Sequence, residues 1–203
     1  MEDNYEELFK DKLVCGVDEV GRGPLAGPVV ACAVIMGKDN FIEGVKDSKK
    51  LSAKKRELLN DQIIKKAMAI GIGVVDEKTI DKINIKQATR LAMKIAVEEL
   101  KDKHNKPVLP DLVAIDAEEI ETDLRQVSII RGDDLVYEIS CASIVAKVLR
   151  DSYFIEFDEI YPGYDFIHNK GYGTKRHREA LLNLGPTPIH RMSFLKKILG
   201  GKK

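Results

Sequence analysis

At 203 residues, 44% hydrophobic and 33% charged, the chain can bury a sizeable core and is too apolar for a disordered polyelectrolyte. Lysine plus arginine and aspartate plus glutamate balance at 33 each, so net charge alone selects no class of partner. The longest apolar run, Val29 to Met36, is eight residues and excludes a membrane span. The charge is nevertheless uneven along the chain. From His168 to Lys203 there are nine basic residues against one acid, Glu179, leaving 24 basic and 32 acidic residues before it. That asymmetry suits a polyanion contact near the C-terminus, and equally a solvated basic tail. Cys15, Cys32 and Cys141 are odd in number and unpaired in spacing, as expected of buried, reduced thiols in a cytoplasmic protein. The opening "MEDNYEELFKDK" is acidic and does not read as a secretory signal.

In chain order, "LVCGV" (13–17) predicts a short buried strand and "PVVACAVIM" (28–36) a second, the two forming a hairpin. Ser52 is a candidate N-cap for a helix with the stripe Leu58, Leu59, Ile63, Ile64 and Ala67. "GIGVV" (71–75) predicts a third strand. Residues 84–101 predict an amphipathic helix with the stripe Ile85, Ala88, Leu91, Ala92, Ile95 and Ala96. "LVAID" (112–116) and "VSIIRGDD" (127–134) read as strands running into acids. "EISCASIVAKVLRDSYFIEF" reads as a helix whose small residues permit close packing. A loop, "YPGYDFIHNKGYGT", then leads to short helices near Lys175–Leu184 and Ser193–Leu199. With no repeat or linker, the expectation is one domain over 1–203, residues 160–203 forming its basic C-terminal part.

Three predicted strands therefore end in carboxylates: Asp18 with Glu19, Asp116, and Asp133 with Asp134. In open α/β sheets, sites lie beyond the carboxyl ends of strands. Adjacent strand residues face opposite ways, so Asp18 and Glu19 share a site only if they lie at the strand end, beside the turn at Gly21. Two carboxylates about 4 Å apart repel by about 4 kcal/mol at an effective dielectric near 20. A hard divalent cation such as Mg²⁺ removes that cost. Two such ions about 4 Å apart are a recurring device for phosphodiester hydrolysis. Each acid taken singly also reads as a turn or cap residue. His168, His177 and His190 lack ligand spacing and read as surface or structural histidines.

The segment "GVDEVGRGPLAGPVVACAVI" resembles the signature of ribonuclease HII, the type 2 ribonuclease H family. Further blocks match in order: "KDSKKLS" (46–52), "AIDA" (114–117), "IIRGDDLVYEISCASIVAKVLRD" (129–151), "NKGYGTKRH" (169–177) and "PIHRMSF" (188–194), so that the resemblance covers about residues 13–195. It implies an α/β, ribonuclease H-like fold: a mixed five-stranded sheet flanked by helices, with a helical C-terminal extension. It also implies Asp18, Glu19, Asp116 and Asp133 as catalytic ligands of Mg²⁺ or Mn²⁺, with Asp134 a spectator. Ala117 departs from the family's usual glycine, and Arg131 from its usual lysine. By the same resemblance the substrate is an RNA–DNA hybrid, or duplex DNA containing ribonucleotides, cut 5′ of the ribonucleotide by a cytoplasmic monomer. Gly21, Arg22 and Gly23 would offer backbone to the ribose 2′-hydroxyl, and Tyr172 would stack on the adjoining deoxyribose. The bland alternatives are a tight hairpin turn and a loop-packing tyrosine. Lys49 and Lys50, and the Ser143/Lys147 pair on one helix face, are weaker candidates for phosphate contact. For Ser143 and Lys147, simple packing is an equal reading. The rival activities are a ribonuclease HIII-type enzyme restricted to longer RNA stretches and a non-catalytic hybrid-binding module.

Overall fold

The computed structural model describes residues 5–45 and 51–200; Lys49 and Lys50 lie outside the described residues. A short helix α1 (Tyr5–Phe9) precedes the hairpin of β1 (Val14–Val20) and β2 (Val29–Met36). Helix α2 (Ala53–Lys66), strand β3 (Ala67–Val75) and helices α3 (Glu77–Ile83) and α4 (Ile85–Glu98) follow. Strands β4 (Leu112–Asp116) and β5 (Gln126–Ile129) complete a five-stranded sheet of order β3-β2-β1-β4-β5. The first three strands are antiparallel neighbours, whereas β4 and β5 run parallel to β1. The chain then forms α5 (Gly132–Leu135), the long α6 (Tyr137–Ile160), α7 (Phe166–Asn169), α8 (Lys175–Leu184) and α9 (Met192–Leu199).

Strand alternation divides the core into two layers. Cys15, Val17, Val29, Ala31 and Ala33 pack with Ala88, Ala92, Met93 and Ala96 of α4. Val30, Cys32 and Val34 pack on the other face with Cys141, Ala142 and Val145 of α6 and with Leu59 and Ile63 of α2. Covered on both sides, β2 is buried throughout, which is why its sequence is an unbroken apolar run. A third cluster joins Phe154 of α6 to Tyr164, Phe166, Leu181 and Leu195 of the C-terminal elements. Gly16 lets α6 lie directly on β1, since a Cβ there would stand 2.1 Å from the Glu138 carbonyl carbon. Among the described residues no helix is long and apolar enough to cross a membrane. All three cysteines are buried and free, and burial pushes their thiols up.

Three local expectations change. Ser52 does cap α2, accepting from the Lys55 N–H at 3.3 Å, but the helix stops at Lys66. Ala67 opens β3 opposite Met36, because sheet pairing satisfies the backbone of the "AMAI" segment along its length. Leu58 and Ile64 of the expected stripe are exposed, and only Leu59 and Ile63 of it reach the core from α2. The helix expected over 84–101 forms as α4 and ends at Glu98, and a short helix not expected from the sequence, α3, precedes it. Asn84, at φ +65°, ends α3, and its side chain accepts from the N–H groups of Lys86 and Gln87 to start α4. Helix α3 itself is announced by Asp76, which caps Thr79 at 2.8 Å. Finally, β1 runs on through Asp18 and Glu19 to Val20, paired with β2 as far as Val30.

Candidate active site

Asp18 and Glu19 therefore lie inside a strand, not beyond its end, and they do face opposite ways. Asp18 pairs in register with Cys32 of the α6 layer, and Glu19 with Ala31 of the α4 layer. What lets them communicate is the parallel neighbour. Pairing of β1 with β4 finishes at Val17 and Ile115, and β4 ends on Asp116, leaving that edge of β1 open beyond. Burial first, then the charges of Glu19 and Asp116, push the Asp18 carboxyl well above the usual carboxylate range. Hydrogen bonds from Ser143 and from the Glu19 N–H, at 2.7 Å, act the other way. Burial raises the Glu19 carboxyl too; Arg22 opposes the rise and Asp116 adds to it.

Asp116 accepts from the Gly132 N–H at 2.7 Å, which ties the end of β4 to the first residue of α5. The next residue is Asp133, buried in the first turn of α5, its carbonyl accepting from Ser140 Oγ at 2.7 Å. Asp134 is ion-paired with Arg131 at 2.8 Å. Both departures from the family pattern sit in left-handed backbone: Ala117 at φ +48° and Arg131 at φ +60°. A glycine would occupy the first without strain, which explains the family's preference there.

Among the described residues, no three His, Cys, Asp or Glu side chains are arranged as they stand to hold a metal ion. The donors nonetheless suit a hard cation. After burial, the charges of Glu19 and Asp116 push the Asp18 carboxyl up and that of Asp116 pushes the Glu19 carboxyl up, and Glu19 Oε2 is buried with no hydrogen-bond partner. An orphaned carboxylate oxygen among like charges is what a divalent ion would satisfy.

The Gly21–Gly23 turn is built from behind. Gly21 has φ +100°, and a Cβ on it would stand 2.3 Å from Arg150 Nε. The fully buried Arg191 donates to the carbonyls of Gly21 (2.7 Å), Arg22 (3.1 Å), Pro24 (3.0 Å) and Gly27 (2.6 and 2.9 Å). The equally buried Arg150 donates to Pro28 (2.9 Å), Lys170 (3.0 Å) and Ala26 (3.1 Å). Desolvation brings both guanidinium groups down, Arg150 to about 10 and Arg191 to about 9. The Arg22 side chain lies between Glu19 (3.4 Å) and the buried Glu118 (3.2 Å), and Arg90 holds the other oxygen of Glu118 at 3.0 Å. The Tyr172 ring stands beside Gly23, 3.7 Å from where a Cβ would be, and is 43% exposed. Lys147 is ion-paired with Asp151 at 2.7 Å, while Ser143, one turn earlier, is spent on Asp18.

The structure thus brings Asp18, Glu19, Asp116 and Ser143 together, carries Asp133 in beside Asp116, and sets Tyr172 against the glycine turn. It directs Lys147 elsewhere. Sequence reasoning missed Arg150, Arg191 and Glu118; it read His177 and His190 as surface or structural, and they form a buried structural pair. The two arginines lie inside the motif blocks, but a single arginine in a basic segment carries no sign of burial. Clefts of about 660 and 630 Å³ flank α4 and residues 119–124, and none of the four acids lines either.

A mixed sheet of this order, with helices on both faces and carboxylates gathered where β1 and β4 part, is a ribonuclease H-like architecture. Comparison with known proteins narrows the class. The model of the ribonuclease HII family matches residues 15–197. The ribonuclease HII of Alkaliphilus oremlandii is 60% identical over 182 residues, 90% of each chain. That of Caldicellulosiruptor saccharolyticus is 50% identical over 206 residues, 98% of each. The crystal structure of ribonuclease H2 from Pyrococcus horikoshii superposes with a TM-score of 0.75 at 26% identity, covering 91% of this chain and 96% of that one. The chain belongs to the ribonuclease HII family and is a hydrolytic endonuclease of the ribonuclease H type, with RNA–DNA as its substrate class.

Proposed function

We propose that the protein cuts the RNA strand of RNA–DNA hybrids and also cleaves duplex DNA 5′ of an embedded ribonucleotide, leaving a 3′-hydroxyl and a 5′-phosphate. The observation that carries the reading is the pairing of two features on one segment. Mutually repelling acids with an orphaned oxygen sit at Asp18 and Glu19, and a carbonyl-braced glycine turn follows at once. Asp18, Glu19, Asp116 and Asp133 would hold two Mg²⁺ or Mn²⁺ ions. Such ions, when bound, neutralise the acids, lower the pKa of the attacking water and stabilise the departing oxygen. The water oxygen bonds to phosphorus as the bond from phosphorus to the 3′-oxygen breaks.

The remaining work falls to the chain's own groups. Ser143 steadies the Asp18 carboxylate from α6. The backbone of Gly21, Arg22 and Gly23 meets the ribose 2′-hydroxyl, and Tyr172 stacks on the neighbouring deoxyribose. A site that hydrogen-bonds a hydroxyl rejects the analogue lacking it by about 10⁴ to 10⁵, so this turn is sufficient in principle to separate RNA from DNA. The protein acts as a cytoplasmic monomer, and residues 160–200 belong to the same folded unit as the sheet. The test is cleavage of a duplex carrying one ribonucleotide, with each metal and without metal, the cut position being mapped. A metal-dependent cut 5′ of the ribonucleotide is expected. Cleavage only of longer RNA stretches would overturn the reading in favour of a ribonuclease HIII-type enzyme, and tight hybrid binding without cleavage would leave a binding module.

A further inference from the structure

We propose that Arg191, distant from the acids in sequence, is a positioning residue that sets ribose discrimination by aiming the N–H groups of Arg22 and Gly23 outward. The inference rests on the proposed reading of the Gly21–Gly23 turn. A guanidinium carries five N–H donors in a planar fork. All five of Arg191 are spent on four carbonyls of residues 21–27. Its side chain is fully buried, and the nearby carboxylates of Glu77 and Asp81 act on it through their charge, whereas its N–H groups go to carbonyls. Burying a charge in that way is costly, and a turn needing only to be rigid has cheaper braces.

Peptide geometry supplies the consequence. The described chain has no cis peptide bonds, so each C=O points opposite to the N–H of the next residue. Arg191 draws the Gly21 carbonyl inward, and the Arg22 N–H is thereby turned outward. It draws the Arg22 carbonyl inward, and the Gly23 N–H follows suit. Both residues are exposed, and among the described residues neither N–H donates to another protein group. A cation on the carbonyl also polarises the peptide, so that its N–H becomes a stronger donor. Two successive outward N–H groups, the second on Gly23 beside the Tyr172 ring, form a fork for an oxygen of the sugar-phosphate backbone, and the 2′-hydroxyl is the one that DNA lacks. Arg191 thus acts on the substrate without touching it.

The experiment compares two duplexes, identical except for one ribonucleotide, binding in the absence of divalent metal so that the strand stays intact. The wild-type protein prefers the ribonucleotide duplex; if it shows no preference, the proposed function fails first and the inference with it. Arg191→Lys keeps the charge but loses the fork. Its preference is expected to fall by about tenfold or more, the equivalent of one aligned hydrogen bond, while affinity for the all-DNA duplex stays within about twofold. Equal weakening toward both duplexes would reduce Arg191 to a structural brace and overturn the inference. Should that variant not fold, wild-type amide spectra decide. The Arg22 and Gly23 N–H resonances should shift differently with the two duplexes, and identical shifts would refute the assignment.

Discussion

Acid should loosen the C-terminal elements through one buried pair, His177 and His190, whose Nε2 atoms lie 3.0 Å apart. Their partners fix the tautomers. His177 Nδ1 faces the Tyr172 carbonyl at 2.9 Å and must carry its proton there. His190 Nδ1 accepts from the Thr187 N–H at 2.9 Å, so its proton sits on Nε2 and is donated to His177. Both rings are therefore neutral, and an added proton would set two N–H groups against each other. Burial first, then His177, brings His190 from 6.5 to about 4, and burial lowers His177 as well. Because the folded value is the lower one, the unfolded chain binds more protons between the two. The stabilisation is complete above about pH 6.5 and is lost as pH falls toward 4. At about 1.4 kcal/mol per unit, His190 alone contributes a loss of about 3 kcal/mol across that window. Urea unfolding at pH 7.5, 6 and 5 measures it in the wild type and in His190→Gln. The variant should show the shallower pH dependence over this range. Equal slopes, or a His190 resonance titrating near 6.5, would refute the argument. The link to function is direct, since the His177 proton holds the carbonyl of Tyr172.

Further outcomes follow from other residues. Asp18→Asn should abolish metal-dependent cleavage, while removing a repelling charge should leave the metal-free protein at least as resistant to heat; retained cleavage would remove Asp18 from the site. Ala117→Gly relieves a left-handed alanine at φ +48° and should stabilise the fold by about 0.5–1 kcal/mol in chemical denaturation, the strain relief exceeding the glycine's added chain entropy. Gly21→Ala must place a methyl group 2.3 Å from Arg150 Nε at φ +100° and should cost about 3 kcal/mol, measured by calorimetry. A loss below about 1 kcal/mol would show that the turn is free to rearrange.

The periodicities and acids were readable because they are local. The continuous apolar run of β2, the capping residue Ser52 and the acids that follow apolar strands each state their role within a few residues. Boundaries were less legible where long-range pairing competed with local preference. Ala67 suits a helix, yet β2 offers its backbone a partner at Met36. The stripe from Ile85 made α4 legible, whereas α3 is announced by little more than its caps, Asp76 and Asn84.

The sequence by itself determined the inventory: acids after apolar strands, a glycine turn directly behind the first of them, and a basic C-terminal segment. Tertiary structure decided which members meet. Only the parallel pairing of β1 with β4 puts Asp116 within reach of acids that point to opposite faces. Only folding converts Arg191 from a member of a basic tail into a buried fork behind the turn. The physical reason is the same in both cases. Charge and burial are properties of three-dimensional neighbours, and residues 21 and 191 become neighbours only when the C-terminal elements close over the β1–β2 turn.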